Sequence, residues 1–518
     1  MEAKFRQHIE DGYAFKNDSI LLGTSMLDGK PLLNNLVKAP LQTFNRHGLI
    51  SGATGTGKTK TLQNIVERLS EKGVPTLVMD IKGDLSGLAE ASEGHPKIIE
   101  RHESIGVKWE ARDYPVELLS ISDEPGVRMR ATISEFGPVL LAKILELNDT
   151  QSGILSIIFK FCDDKNLPLL DIKDLRKVLQ FISREGREEI ESNYGMVSAS
   201  STGAILRKLL EVEEQGADKF FGEKSFDVED LLRLDQDGMG YINILRLTDI
   251  QSKPKLFSTF MLCLLAEVYE KFPEQGDVLQ PELVIFIDEA HLIFREASKA
   301  LVEQLEIIVK LVRSKGVGIF FITQVPSDIP DQILGQLGMK VQHALRAFTA
   351  KDRRAIKMAA ENYPLTEFYD VDNTLTSLGI GEAMVTVLNR KGIPTPLVHT
   401  LLTAPSSRMD ILTKDEIKEI TEDSELVREY NNVLDRESAY EILIKKLNKR
   451  EEDTEDQPED IPKRSKNYEK STFEKILNHS ITKSLIRDVT RGIMGVLGIK
   501  PVRSTRRRTY TRKRRKRS

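Results

Sequence analysis

Cysteine is almost missing from this chain. Its 518 residues include two, Cys162 and Cys263, each in an apolar stretch of helical spacing. Two such thiols read as reduced core residues, not as a disulfide framework or a cysteine metal site. Long hydrophobic runs are missing too: no stretch of about 18 apolar residues exists, so no membrane-spanning helix is expected. Met1-Glu2-Ala3-Lys4-Phe5 lacks the apolar core of a signal peptide. A cytoplasmic protein is the expectation. Hydrophobic residues make up 40% and charged residues 30%, which is ordinary for a soluble globular chain. The length allows two to four domains, or one core with large insertions.

Acidic residues are missing from one place in particular. From Arg503 to Ser518 there are ten Lys or Arg and no Asp or Glu. The net charge of −4 therefore hides an acidic body of 65 basic against 79 acidic residues and a very basic tail.

What is present begins with Gly52-Ala53-Thr54-Gly55-Thr56-Gly57-Lys58-Thr59, a G-x-x-x-x-G-K-T phosphate loop. A short apolar strand, His47 to Ser51, precedes it, and Lys60 to Leu69 follows with helical periodicity. In that context the glycines let backbone N–H groups surround a polyphosphate at a helix N-terminus. Lys58 would reach the β- and γ-phosphates, and the Thr59 hydroxyl would hold Mg²⁺. A second motif, Leu283-Val284-Ile285-Phe286-Ile287-Asp288-Glu289, is an apolar strand ending in two acids. Asp288 would hold the Mg²⁺ shell and Glu289 would polarise a water at the γ-phosphate. An ATP or GTP site follows.

The order of elements points to α/β architecture. Pro75 to Asp84 reads as a second strand ending in a polar turn, and Tyr114 to Ile121 as another. Asp80, Lys82 and Asp84 would lie near the nucleotide, since polar strand ends face the ligand crevice; Lys-Gly-Asp is equally good turn chemistry. From Arg130 to about Leu234 the signal is mostly helical and reads as an insertion. Asp235 to Ile242 mimics an EF-hand opening, but Met239 and Arg246 fall where oxygen ligands are needed, so a turn entering a strand is expected. A helix over Phe257 to Phe272, another from about Lys299 to Ser314, and strands at Gly318 to Gln324, Lys340 to Phe348 and Ala383 to Leu388 complete the alternation. Such alternation favours a largely parallel sheet. Residues 1–45 read as a lead-in, 46–404 as the core and 405–452 as a helical extension. Residues 453–470 read as an acidic disordered linker, and 471–518 as an amphipathic segment plus the basic tail.

With these residues in view, the chain resembles the HerA-like branch of the HerA/FtsK ATPases, and more closely a bacterial family defined by a helicase HerA-like C-terminal region. The resemblance runs from His47-Gly48-Leu49-Ile50 to Arg491-Gly492-Ile493-Met494-Gly495. It is carried by Met79 to Leu85, Leu147-Asn148-Asp149-Thr150-Gln151, Arg313 to Gly318 leading to Thr323-Gln324, Asp328-Ile329-Pro330 and Gln342 to Thr349. It implies a RecA-like P-loop NTPase core, ATP hydrolysis with Mg²⁺, and homo-oligomeric rings, commonly hexamers. It places the Walker lysine and threonine on Lys58 and Thr59, the catalytic acids on Asp288 and Glu289, a γ-phosphate sensor on Gln324 and a trans arginine finger on Arg313. Arg313 also reads as a cation answering a helix dipole, and Arg346 is a second finger candidate. HerA proper has a β-barrel before the phosphate loop, and about fifty residues are too few for one. Asp288-Glu289-Ala290-His291 spells DEAH, but a single phosphate loop and no Gln-Arg-Gly-Arg motif set the chain apart from DEAH-box helicases.

The expected function is an ATP-driven motor on DNA, with the tail at 503–518 gripping duplex phosphates. Tyr510 is its one aromatic, which is no stacking platform for single strands. The alternative is a regulatory or assembly ATPase whose tail docks on a partner or an anionic membrane beside the amphipathic segment Thr472 to Leu497. A small-molecule kinase is the weakest reading, since a glutamate beside Asp288 favours water as nucleophile.

Overall fold

A computed structural model describes residues 1–455, apart from 250–252, 277, 297–298, 433 and 435. The acidic stretch beyond Glu455, the amphipathic segment and the basic tail lie outside the described residues.

One twelve-stranded sheet organises the chain, and its centre is made of short, wholly buried apolar strands. In chain order the strands are β1 (Ser19–Leu27), β2 (Lys30–Pro40), β3 (Gly48–Ser51), β4 (Thr76–Asp80), β5 (Val116–Ser120) and β6 (Val127–Arg128). They continue with β7 (Ile242–Arg246), β8 (Leu283–Ile287), β9 (Val317–Thr323), β10 (Met339–Gln342), β11 (Glu382–Thr386) and β12 (Val398–Leu402). Their spatial order is β2-β1-β12-β11-β10-β3-β9-β8-β4-β7-β5-β6. From β10 to β6 every pairing is parallel; from β10 outward through β11, β12, β1 and β2 every pairing is antiparallel. Strands buried on both faces read as continuous apolar runs, and β8 (LVIFI) and β9 (VGIFFIT) have that composition.

The phosphate-loop strand β3 is separated from β8 by one strand, β9. Two inter-strand spacings are about 10 Å, which leaves room for a triphosphate between the ends of β3 and β8. The close approach of β3 to β9 depends on glycine. A Cβ on Gly48 would lie 2.2 Å from Phe320 Cε1. Phe320 itself is held between Phe44 and Phe286, with ring centroids 5.3 and 5.1 Å away.

Several sequence expectations need adjusting. The first 45 residues contribute more than a lead-in: helix Glu2–Gly12 and the β1–β2 hairpin, which extends the sheet by pairing with β12. The strand expected over Lys340 to Phe348 is only Met339–Gln342, because His343 and Ala344 turn aside to meet the phosphate loop. Asp235 caps its own turn, its Oδ1 accepting from Asp237 N (2.9 Å) and Met239 N (2.7 Å), and β7 follows. Between β6 and β7 lie the helices Ile133–Ile144, Asp149–Lys165, Ile172–Ser183, Arg187–Asn193 and Ala199–Val212, four of them started by a side-chain N-cap at Thr132, Asn148, Asp171 or Ser198. Helix Ala439–Glu455 reaches three residues into the stretch read as a linker. Its first turn meets this helical region, with Tyr440 N donating to Asp174 Oδ1 at 2.9 Å.

Gly48→Ala is expected to drive a methyl into Phe320 and cost about 1–3 kcal/mol, the range for overpacking a core. A lower urea midpoint with an unchanged slope in equilibrium unfolding is the expected result; an unmoved midpoint would show that the β3–β9 contact is looser than described.

Candidate nucleotide site

The phosphate loop hangs between the ends of three strands. Gly52 N donates to Thr323 O (3.3 Å) and Gln324 O (3.2 Å), and Ala53 N donates to Ala344 O (2.8 Å). On the far side Gly381 N donates to Thr56 O (3.1 Å). Gly52, Gly55 and Gly57 have φ of 151°, 79° and 109°, the region open to glycine. Space is as demanding as conformation at Gly52, where a Cβ would meet His343 Cβ at 2.5 Å. The loop then runs into helix Lys58–Ser70, whose N-terminus faces the crevice.

Lys58 Nζ folds back onto the loop, donating to Gly52 O (2.7 Å) and Ala53 O (3.2 Å). Burial, then the nearby charge of Lys82, lower its pKa, against the pull of Glu289 and Asp288. Thr59 Oγ1 lies 3.4 Å from Asp84 Oδ2. Across the crevice β8 delivers Asp288 and Glu289, both buried. Asp288 Oδ2 is buried with no hydrogen-bond partner, and so is Asp84 Oδ1. Burial pushes the Asp288 carboxyl up to about 7; Lys82 opposes this and Glu289 adds to it. Buried oxygens without partners, beside a threonine hydroxyl, fit a hard cation such as Mg²⁺. That ion takes one or two protein oxygens and completes its shell with phosphate and water. Its charge would also offset the cost of ionising Asp288.

The turn after β4 divides between the two readings that the sequence left open. Asp80 is turn chemistry: its carboxylate accepts from Gly83 N (2.7 Å), Asp84 N (3.3 Å) and Leu85 N (3.1 Å). Burial, then the charge of Asp84, raise it to about 6. Lys82 and Asp84 face the site instead. Lys82 Nζ forms an ion pair with Glu289 Oε1. The other carboxylate oxygen of Glu289 lies 3.0 Å from His291 Nδ1.

Gln324 sits just past the end of β9, its backbone carbonyl on Gly52 N and its side chain exposed. Arg313 is elsewhere. It is exposed at the opposite end of β9, beyond the buried His47. A seven-residue strand puts about 20 Å between the two ends, so Arg313 does not join the phosphate loop of its own chain. Arg346, also exposed, lies two residues past Ala344 and hence on the loop side.

Sequence reasoning missed His343, Gly381 and Arg101. The His343 ring is buried with Nε2 2.9 Å from Thr61 Oγ1. Arg101 donates to Gly381 O (3.1 Å), Leu402 O (3.2 Å) and Ile380 O (3.0 Å), pinning the segment that holds Thr56. A lone His or Arg in a 518-residue chain carries no local signal for this; only Gln342-His343 inside a family motif pointed there. The phosphate-loop helix is also held from behind: Glu67, fully buried, accepts from Ser406 N (2.8 Å) and Ser407 N (3.0 Å). Tertiary contact with the core thus continues past residue 404.

The sequence profile of the family described as helicase HerA-like C-terminal matches residues 27–503. The chain is similar to proteins named DNA double-strand break repair helicase HerA. That of Sulfolobus acidocaldarius is 23% identical over 366 residues, 69% of this chain and 66% of the relative. That of Sulfurisphaera tokodaii is 21% identical over 371 residues, 67% of this chain and 64% of the relative. The chain thus spans slightly under two thirds of the length of these relatives. Among solved structures, it is similar to the bacterial conjugative coupling protein TrwBdeltaN70, with a TM-score of 0.48 and 14% identity over 78% of this chain and 94% of that one.

Burial, then the charge of Lys58, lower the His343 pKa to about 4, from an ordinary 6.5. A folded-state value below the unfolded one means that the contribution is complete above pH 6.5 and is lost as pH falls toward 4. His343→Gln removes that loss. Its urea midpoint is expected to fall less between pH 7 and pH 5 than the parent's; equal falls would show that the imidazole is not buried as a neutral group.

Proposed function

The chain belongs to the helicase HerA-like C-terminal family, and from that premise we propose that it is an ATP-hydrolysing motor that acts on DNA. The observation that carries this reading is the pairing across one intervening strand: Lys58 and Thr59 after β3, and Asp288 and Glu289 after β8, with an unpartnered buried oxygen on Asp288.

In this reading ATP lies in the loop with its phosphates on the backbone N–H groups of residues 54–59. Lys58 leaves the Gly52 and Ala53 carbonyls for the β- and γ-phosphates. Thr59 and Asp288 would hold Mg²⁺, which would supply charge to screen the phosphates. Glu289 takes the proton of a water aligned on the γ-phosphorus, and the products are ADP and phosphate. Gln324, at the crevice end of β9, senses the γ-phosphate. Phosphoryl transfer also benefits from a cation against the spreading transition-state charge. Arg313, exposed and far from its own loop, suits a neighbouring subunit's ATP, which supports a homo-oligomeric ring, commonly a hexamer in this family. The ten basic residues of 503–518 hold duplex DNA by its phosphates, and the protein works in the cytoplasm.

The test is ATP hydrolysis by the purified full chain with and without linear duplex DNA, with Glu289→Gln as the blank. Severalfold stimulation that vanishes in the variant, weakens with salt and is lost on removing residues 503–518 is expected. Hydrolysis indifferent to DNA would overturn the motor reading in favour of an ATPase regulated by a protein or membrane partner.

A further inference from the structure

Lys82 is a charged group in the crevice that the reaction just described does not use. It sits in the turn after β4, and that turn is fixed. Asp80 accepts three of its N–H groups, and Gly83, at φ 76°, is packed so that a Cβ would meet Thr248 Cγ2 at 2.9 Å. The same turn carries Asp84 to Thr59. The Lys82 side chain projects from this turn. It is 38% exposed at the mouth of the crevice, while the Glu289 side chain it pairs with is 8% exposed. Glu289 lies deeper, on a turn closed by its own backbone. Its backbone is left-handed (φ 46°), its carbonyl accepts from Leu292 N at 2.9 Å, and His291 flanks its second oxygen. The carboxylate is thus the buried partner of the pair, and the ammonium the exposed one.

As the site stands, the Lys82 ammonium occupies one carboxylate oxygen of Glu289 and keeps a water from it. The γ-phosphate of ATP would arrive between Lys58 and Glu289, within reach of Lys82, which lies near enough to Lys58 and Asp288 to influence both. A phosphate with about two negative charges and several acceptor oxygens competes well with one carboxylate for a single ammonium. ADP brings no such group to that position.

We propose that Lys82 is a γ-phosphate-operated latch on Glu289: it pairs with the carboxylate until ATP binds, then transfers to the γ-phosphate and leaves Glu289 free to accept the proton of water. The proposal rests on the reading of Glu289 as the base. It makes Lys82 both a positioning residue for Glu289 and a ligand that distinguishes ATP from ADP.

The test is calorimetric binding of Mg²⁺-ADP and of a non-hydrolysable Mg²⁺-imido-ATP to the full chain, with Lys82→Met, Lys82→Arg, Glu289→Gln and the Lys82→Met/Glu289→Gln double variant. Lys82→Met is expected to bind ADP as the parent does, and to lose roughly 10- to 100-fold in affinity for the imido analogue, the span for one charge-assisted contact. Its turnover at saturating ATP falls at least tenfold, and Lys82→Arg restores most of both. Glu289→Gln removes the competitor for Lys82, so it binds the analogue more tightly than the parent, and that gain disappears in the double variant. Equal losses for ADP and analogue in Lys82→Met would reduce the contact to a structural ion pair and overturn the latch. So would a Glu289→Gln gain that survives without Lys82. A parent that binds the analogue but never hydrolyses ATP would defeat the functional reading above, while the binding ratios would still decide the latch.

Discussion

The hydrogen bonds from Gly52 N and Ala53 N to the ends of β9 and β10 are the constraint on which the rest depends. They convert a glycine-rich loop with many accessible conformations into one fixed cradle. They hold only if β3, β9 and β10 run parallel and in register, so that three carboxyl ends converge. That register rests in turn on glycine at 48 and 318, where side chains would strike Phe320 and the Phe44 carbonyl. The apolar centre of the sheet and the polar chemistry at its edge are thus one packing problem.

Charge is arranged on the same frame. β4 and β8 are neighbours, with Asp288 N donating to Met79 O at 3.4 Å, so the turn after one strand lies beside the acids after the other. Lys58 and Lys82 face Asp288, Glu289 and Asp84 in a half-enclosed crevice. Before any ligand enters, each lysine already has a temporary partner within the protein: backbone carbonyls for Lys58, Glu289 for Lys82. Those partners offset the cost of keeping two cations close together.

The two ends of the described chain extend that frame in different ways. The N-terminal hairpin adds antiparallel strands beyond β12, and the Tyr13 hydroxyl ties its leading helix to Pro396 O at 2.9 Å. Residues 403–408 brace the buried polar face of the phosphate-loop helix through Asn64, Gln63 and Glu67. Farther on, Tyr430 and the start of helix Ala439–Glu455 pack against the helical region between β6 and β7.

The phosphate loop, the acidic pair on β8, the alternation of strands and helices and the helical stretch after Arg130 were legible in the sequence, because each is set by neighbours a few residues away. Periodicity, glycine spacing and apolar runs are local signals. The sheet order was not legible, nor was the role of the first 45 residues, because strand pairing across hundreds of positions leaves no trace in either partner alone. The site divides along the same line. Lys58, Thr59, Asp288 and Glu289 were found from their motifs, and the fold sets them at one crevice. Asp80 and Lys82, two residues apart, were indistinguishable until the fold turned one carboxylate inward to cap its own turn and sent the ammonium across to Glu289. His343, Arg101 and Gly381 stand 42 or more residues from the loop they support. Only the tertiary structure could assign them, because what gives them a part is proximity in space, created when the parallel strands bring their carboxyl ends together.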